Sequence, residues 1–275
     1  MSGQFANIWV VLCRLRIGEL PVIFGDNFVG NLVDDFVNSA ETSLRHVQER
    51  IQAACRGCGR KSEEIILVAA AKTVAAARLQ KFCIAGLNCI GENYVQEALP
   101  KMAQMQEQSS TRLSPLEWHL IGALQSNKAR DAVGRFALIH SVDRIRLAQT
   151  LNKEAQGQDI RQAILLQVNI GDETGKAGCA LDEIDELAQF CLGLPALEVR
   201  GLMCLPPQSD DPQNARLYFQ QLRQMRDRLK SSTRTAGLGS ELSMGMSHDF
   251  EVAIEEGATL VRIGTGLFGP RSRTV

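Results

Sequence analysis

The sequence lacks an excess of charge of either sign. Its 275 residues include 30 lysines and arginines against 31 aspartates and glutamates, which leaves a net charge of −1. Such a balance creates no overall field that would attract nucleic acid or an anionic membrane. We therefore expect neither nucleic acid nor a membrane among the partners.

Long apolar segments and several familiar motifs are also missing. The apolar stretch at residues 8–13 is too short to span a bilayer and lacks the flanks of a signal peptide. No GxGxxG follows the first predicted strand, which argues against a dinucleotide-binding domain. No Ser-His-Asp arrangement and no metal-ligand spacing is present, so we predict no metal site.

The cysteines do not form a disulfide pattern. Several lie inside apolar segments, which suits reduced, buried thiols and a cytoplasmic protein better than a disulfide framework. Cys55 and Cys58 form a lone CxxC motif, which without a second pair is weak evidence for zinc or redox chemistry. The eight cysteines are Cys13, Cys55, Cys58, Cys83, Cys89, Cys179, Cys191 and Cys204.

Strand-like and helix-like segments alternate through most of the chain. A helical pattern at 37–55 is followed by eight strand-like segments, at 65–72, 88–93, 117–122, 138–142, 163–170, 197–203, 242–246 and 259–264. Each strand but the last is followed by a helical segment. Such alternation implies parallel pairing, and eight units predict a closed (β/α)8 barrel. An open, doubly wound sheet is the competing interpretation.

The predicted domain does not include the start of the chain. We expect residues 1–35 to be an extension, either poorly ordered or translated from a misassigned start. Residues 36–275 are expected to form one barrel domain.

Lys72 comes at the end of a run of seven apolar residues, 65–71. Side chains alternate along a strand, so Lys72 shares a face with Val68 and Ala70. A lysine at the mouth of a buried strand is a candidate for Schiff-base formation, because partial desolvation favours the free amine that attacks a carbonyl. The alternative is a strand that has simply ended, with its lysine in solvent.

The last two strands end in glycine-rich turns. The segment 243–247 offers the hydroxyls of Ser243 and Ser247 on either side of Gly245, and 264–266 reads Gly-Thr-Gly. Barrels often hold a phosphate after their seventh and eighth strands. These turns therefore predict a phosphate site, although any tight turn between a strand and a helix would use similar residues.

Three further side chains are candidates for the site. Arg262 is in phase with Gly264 and should face the barrel interior, where it needs an acceptor. That acceptor is either a structural ion-pair partner, for which Glu92 is a candidate, or a ligand. His119 is either a hydrogen-bonded structural histidine or a ring that stacks on a planar ligand. Asn93 either donates to a phenolic oxygen or caps the next helix.

Six sequence blocks occur in a characteristic order, at 67–73, 91–97, 117–128, 200–203, 242–247 and 261–265. Together they resemble the YggS/PROSC family of pyridoxal phosphate homeostasis proteins over roughly residues 37–270. That family resembles the N-terminal barrel of alanine racemase, which is of fold type III, without its second domain. The departures are small: Ala71 replaces a serine common in the family, and His248 replaces an aspartate.

The resemblance implies pyridoxal 5'-phosphate as the cofactor, bound to Lys72 as an internal aldimine. It also implies a phosphate cup at the glycine-rich turns, Arg262 at the pyridine nitrogen, and no catalytic residue. The implied cofactor-binding residues are Lys72, Asn93, His119, Met203, Ser243, Met244, Gly245, Ser247, Arg262, Gly264 and Thr265.

Three functions remain open at this point. The first is a non-catalytic monomer that holds pyridoxal phosphate and passes it on, with cofactor-dependent apoenzymes as recipients. The second is an amino-acid racemase of fold type III that uses the same cofactor. The third is an aldolase that forms a Schiff base with a phosphosugar and needs no cofactor.

Overall fold

The computed structural model describes residues 26–108, 116–173 and 175–270, with side chains from residue 39 onwards. The chain divides into two units, Met1–Asn38 and Ser39–Val275. Residues 1–25 of the expected extension at 1–35 are outside the described part of the chain, so the extension stays a prediction. The barrel lies within the second unit.

The eight strands form a closed barrel. Each strand pairs in parallel with the next, and the last pairs with the first. The (β/α)8 prediction is confirmed, and the open-sheet interpretation is wrong. The strands are β1 (Ile66–Ala70), β2 (Cys89–Glu92), β3 (Glu117–Leu120), β4 (Leu138–Val142), β5 (Gln162–Val168), β6 (Leu197–Cys204), β7 (Glu241–Met246) and β8 (Leu260–Ile263).

Helices cover the outside of the sheet, the first of them only from residue 39 onwards. They are α1 (Asp26–Gly57), α2 (Ala76–Ile84), α3 (Val95–Gln108), α4 (Ala129–Ala132), α5 (Ile145–Gly157), α6 (Ile184–Leu192), α7 (Arg216–Ser231), α8 (Phe250–Glu255) and α9 (Thr265–Phe268). Short 3-10 turns lie at Ser62–Glu64, Ser126–Lys128 and Pro212–Ala215. No helix in the described part of the chain has the length and apolarity needed to cross a membrane.

Side-chain alternation separates two apolar layers. Val68 and Met203 belong to a small cluster inside the barrel, whereas Ala69 and Leu202 pack outward in the larger core under the helices. The inner cluster is completed by Cys89, Leu138, Ala163, Leu165 and Leu260, with Ile121 packed against it. Each strand therefore sends alternate residues into the barrel, as its period of two requires.

β1 is shorter than the predicted strand. The chain turns after Ala70: the N–H of Val74 donates to the carbonyl of Ala71 at 3.0 Å, and Thr73 has a φ of 66°. The ladder nevertheless continues for one residue, because the Ala71 N–H donates to the Gly91 carbonyl at 2.8 Å. Lys72 consequently lies on the turn that follows β1 and not within the strand.

The last strand is followed by a helix that the pattern did not predict. α9 is a single turn in which the N–H groups of Leu267 and Phe268 donate to the Gly264 carbonyl at 3.0 and 2.8 Å. Four residues are too few to show a helical period, so no local pattern predicts this helix.

A buried ion pair anchors the turn that carries Lys72. Glu92 lies on the outer face of β2 with its side chain fully buried, and the ammonium group of Lys101 on α3 contacts it at 2.6 Å. Lys101 also donates to the carbonyl of Ala71 at 3.0 Å. Burial raises the pKa of the Glu92 carboxyl, and the hydrogen bond from Lys101 offsets part of that effect. The pair thus ties α3 to the residue that precedes Lys72.

We predict that Lys101→Met lowers the free energy of unfolding by about 3–5 kcal/mol, because it leaves a buried carboxylate without a partner. Adding Glu92→Leu should recover most of the lost stability, since the double variant no longer has the unpaired carboxylate. Urea denaturation of the single and double variants measures both effects.

Lys176→Met is the matched control. Lys176 pairs with Glu173, and the two side chains are 40% and 39% exposed, so removing this pair should cost less than about 1 kcal/mol. A Lys101→Met variant as stable as this control would show that the Glu92 pair does not anchor the turn.

Candidate functional site

Lys72 lies at the C-terminal mouth of the barrel, half-buried on the turn after β1. The left-handed conformation of Thr73 costs about 1–2 kcal/mol, and the contacts to the Ala71 carbonyl hold the chain in it. The ammonium group of Lys72 lies 5.5 Å from the centre of the Tyr94 ring. Lys72 is therefore placed by the backbone turn and flanked by an aromatic ring, so it does not extend freely into solvent.

The end of β7, where the chain begins to turn towards α8, depends on a glycine. Gly245 has a φ of 91°, and a Cβ atom there would lie 2.6 Å from the Cβ of Ala253 and 2.9 Å from the Cα of Phe250. The carboxylate of Asp249 accepts from the Met246 N–H at 2.6 Å. The turn can therefore pack closely on α8 only if residue 245 has no side chain.

The turns after β7 and β8 meet at one oxygen atom. The hydroxyl of Ser247 accepts from the N–H groups of Gly264 and Gly266 at 3.1 and 3.2 Å. A Cβ on Gly264 would lie 3.3 Å from the carbonyl of Ala70, so this turn also lies against the end of β1. Two glycine N–H groups thus converge beside the segment that carries Lys72.

Arg262 faces the interior, as its register predicts. Its guanidinium donates to the hydroxyl of Ser243 at 2.5 Å and to the carbonyl of Cys204 at 2.8 Å. Val261 and Ile263 pack outward. Glu92 is on the outer face of the sheet with Lys101, so the suggested Arg262–Glu92 ion pair is wrong. These contacts use two of the five N–H donors of an arginine.

Two residues of the implied phosphate segment are placed differently from the expectation. Ser243 is fully buried, and its hydroxyl contacts His140 at 2.9 Å and Arg262 at 2.5 Å, so it lies inside the barrel and below the turn. Met244 packs in the outer core, because neighbours along a strand point to opposite faces. Only the backbone of Met244 faces the turn.

The residues expected along the ring lie at different depths. Met203 is fully buried among the inner apolar residues, and His119 is 2% exposed. Ile121, two residues after His119 on the same face, is nearer the mouth. Asn93 is half-buried beyond β2 and is in phase with the interior residue Cys89. Asn93 is therefore at the mouth, while His119 and Met203 are in the layers beneath it.

Burial dominates the electrostatics of this region. It lowers the pKa of His119 to about 4 and holds that of His140 well below its ordinary value, with Arg262 and His119 adding to the effect. It also lowers the pKa of Arg262 and raises that of Asp249. The barrel interior therefore holds two neutral histidines next to one arginine cation.

Three residues near the site were missed in the sequence. His140 is fully buried and is in phase with the interior residue Leu138, so the register argument used for Arg262 would have found it. Tyr94 and Lys101 gave no such signal, because their contacts depend on how α3 packs against β1 and β2.

A cleft of about 690 Å³ opens at the same end of the barrel. Its walls include Gln167 on β5, Leu205 after β6, and Met246 and Asp249 at the end of β7. Among the described residues, no group of three or more histidine, cysteine or acidic side chains is arranged to hold a metal ion. Open space thus lies next to the turn after β7, and its lining includes neither Lys72 nor the turn after β8.

Comparison with known proteins defines the class of this barrel. The family model of the alanine racemase N-terminal domain matches residues 42–272. Alanine racemase from Clostridium difficile in complex with cycloserine has a TM-score of 0.61 at 14% identity, covering 85% of this chain and 61% of the other, which shows a shared fold. The chain is therefore a barrel of the alanine racemase N-terminal type.

Two nearer matches narrow the class. A pyridoxal phosphate homeostasis protein of Aquifex aeolicus is 46% identical over 228 residues, covering 83% of this chain and 96% of the relative. PipY of Synechococcus elongatus, in a structure with PLP bound, has a TM-score of 0.67 at 36% identity and covers 81% of this chain and all 100% of its own. The chain belongs to the family of pyridoxal phosphate homeostasis proteins.

Proposed function

We propose that this protein binds pyridoxal 5'-phosphate at the C-terminal mouth of its barrel, holds it covalently at Lys72, and serves in pyridoxal phosphate homeostasis without substantial catalytic turnover. The names of its relatives and the ligand of PipY support the choice of cofactor. The observation that carries the proposal is that the turn with Lys72 lies against the turn after β8, which is itself hydrogen-bonded to Ser247 after β7.

The residues present fit a phosphorylated aldehyde. Lys72 supplies an amine, and the N–H groups of Gly264 and Gly266 converge on an oxygen atom, which in this structure belongs to Ser247. Converging backbone N–H groups of this kind also suit the oxygens of a phosphate. The guanidinium of Arg262 has further donors for an atom above it.

Each group then has a distinct role. The Lys72 amine would bond to the aldehyde carbon with loss of water. Ser247, Thr265 and the backbone of Gly264 would hold the phosphate, and Arg262 would face the pyridine nitrogen. Asn93 would contact the ring edge. The cofactor, when bound, supplies a reactive aldehyde and an electron-withdrawing ring.

Arg262 disfavours strong carbanion chemistry. An arginine remains charged and offers only donors, so beside a pyridine nitrogen it favours the unprotonated ring, which withdraws electrons less. Racemisation also needs an acid or base on the opposite face of the substrate. Tyr94 lies beside Lys72, and the other tyrosine, Tyr218, packs against the outer core. The racemase alternative is therefore less well supported than a carrier.

The setting of the protein is also a proposal. The described cysteines are all free thiols, as expected in the reducing cytoplasm. Apoenzymes that need pyridoxal phosphate are the natural recipients, because a carrier that does not consume the cofactor must release it. We expect the carrier to act as a monomer.

Lys72 should be the only lysine that becomes bonded to pyridoxal phosphate, because its turn lies against the turn after β8 at the mouth of the barrel. Borohydride reduction of the loaded protein followed by peptide mapping should find the label on Lys72, and Lys72→Ala should abolish it. Label on Lys128 or Lys176 with Lys72 unmodified would contradict the assignment.

The phosphate contacts should be separable from the rest of the site. Ser247→Ala and Thr265→Ala should each weaken pyridoxal phosphate binding about 10- to 100-fold, since a hydrogen bond to a charged group contributes about 1.5–3 kcal/mol. Binding of unphosphorylated pyridoxal should barely change. Titration of each variant with both ligands measures this.

Ser243→Ala is the contrasting variant for that titration. Its hydroxyl is buried beside Arg262, so its loss should weaken the binding of pyridoxal phosphate and of pyridoxal equally. If Ser247→Ala also loses affinity equally for the two ligands, the phosphate is bound elsewhere.

Catalytic turnover should be absent. Incubation of the loaded protein with L-alanine in deuterated water should give no multiple-turnover racemisation and only slow deuterium incorporation at Cα, as mass spectrometry and chiral chromatography can measure. Sustained racemisation that is lost in Tyr94→Phe would instead identify an enzyme with Tyr94 as its second acid or base.

A further inference from the structure

A chain of polar side chains crosses the barrel interior beneath the site. Ser243 contacts Arg262 at 2.5 Å and Nδ1 of His140 at 2.9 Å. Nε2 of His140 lies 3.1 Å from Nδ1 of His119, whose Nε2 lies 3.5 Å from the carboxylate of Glu117. Four strands, β3, β4, β7 and β8, thus contribute to one connected chain.

The two ends of the chain differ in surroundings. Arg262, His119, His140 and Ser243 are each no more than 4% exposed. The side chain of Glu117, the first residue of β3, is 59% exposed at the end of the barrel opposite Lys72. The chain therefore connects a buried cation below the ligand mouth with a carboxylate in water at the far end.

The donors and acceptors fit only one complete direction. Arginine can only donate, so Ser243 accepts from Arg262 and its own hydrogen is free for Nδ1 of His140. His140 then carries its proton on Nε2 and donates to Nδ1 of His119. The Nε2–H of His119 points to the Glu117 carboxylate, at the limit of hydrogen-bonding distance. The reverse direction would leave the Ser243 hydrogen without this acceptor and aim a lone pair of His119 at a carboxylate.

We propose that Ser243, His140, His119 and Glu117 are positioning residues that hold Arg262 through this directed chain and so set the strength of its contact with a pyridine nitrogen. The contact with a pyridine nitrogen rests on the proposed function, whereas the hydrogen-bonded chain of side chains does not. Removing the Ser243 hydroxyl releases one donor of the guanidinium and leaves the Cys204 carbonyl as its remaining described contact, so the group is held less firmly towards the nitrogen.

A purely structural role accounts less well for these residues. The interior positions of β1, β5 and β6 hold Val68, Leu165 and Met203, so the same barrel is filled elsewhere by apolar side chains. Buried polar groups are costly unless every member of the network is satisfied. The two histidines and the serine instead form one connected chain that ends at Arg262.

The first test needs no ligand. Nitrogen-15 NMR of the histidine rings in the cofactor-free protein at pH 7 reports the tautomer directly. His119 and His140 should both be neutral and protonated on Nε2. His140 protonated on Nδ1 would overturn the directed chain, whatever the protein binds.

The second test separates positioning from structure. Ser243→Ala should weaken binding of pyridoxal phosphate about tenfold, the lower end expected for one charge-assisted hydrogen bond. It should leave unchanged the binding of the 1-deaza analogue, in which a CH group replaces the ring nitrogen. Ser243→Thr, which keeps the hydroxyl, should bind both ligands as the unaltered protein does.

Ser141→Ala is the matched control. Ser141 is also buried on a barrel strand, but its hydroxyl has no partner among the described residues, so this variant should bind both ligands normally. If Ser243→Ala weakens the binding of pyridoxal phosphate and of the 1-deaza analogue equally, the variant is generally damaged and the positioning role is overturned. If the unaltered protein binds neither pyridoxal phosphate nor the 1-deaza analogue, the proposed function fails. The NMR result alone then tests whether the hydrogen-bonded chain has the proposed direction.

Discussion

The alternation of side chains along eight parallel strands that close into a ring is the constraint on which the rest of this structure depends. Closure leaves an interior so narrow that each inward residue contacts residues of other strands. Val68 and Met203 use that space for apolar packing, whereas Ser243 and Arg262 use it for a hydrogen bond. The same alternation sends Met244 and Glu92 outward, which removes both from the ligand mouth.

The interior combines apolar side chains with a small group of polar ones. β1, β5 and β6 supply Val68, Leu165 and Met203, whereas β3, β4, β7 and β8 supply the histidines, the serine and the arginine, with β4 and β8 adding apolar residues as well. A buried guanidinium is tolerable only where acceptors surround it, and here it has the Ser243 hydroxyl and the Cys204 carbonyl. The apolar residues around them keep water away, which strengthens those contacts.

The turns at the mouth are held from behind by the helices. Lys101 of α3 donates to the Ala71 carbonyl, and Arg78 of α2 donates to the Phe268 carbonyl at the end of α9 at 2.8 Å. On α1, Arg50 contacts Glu251 of α8 at 2.7 Å. Residues that could contact a ligand therefore lie on short turns, but ion pairs and hydrogen bonds from the outer layer fix where those turns lie.

The sequence by itself determined the barrel, the interior face of β8 and the place of Lys72 at the mouth of the barrel, because these follow from local periodicity and the number of units. It extended β1 to Lys72, however, which the structure places on the following turn. It also located the glycine-rich segments 243–247 and 264–266, although β7 extends to Met246 and its turn begins only at Ser247. Only the tertiary structure decided that Ser243 contacts Arg262 and not the turn, that Tyr94 lies beside Lys72, and that Glu92 pairs with Lys101. Those contacts join residues on different elements, and their distances depend on how closed strands and packed helices meet, which no local pattern encodes.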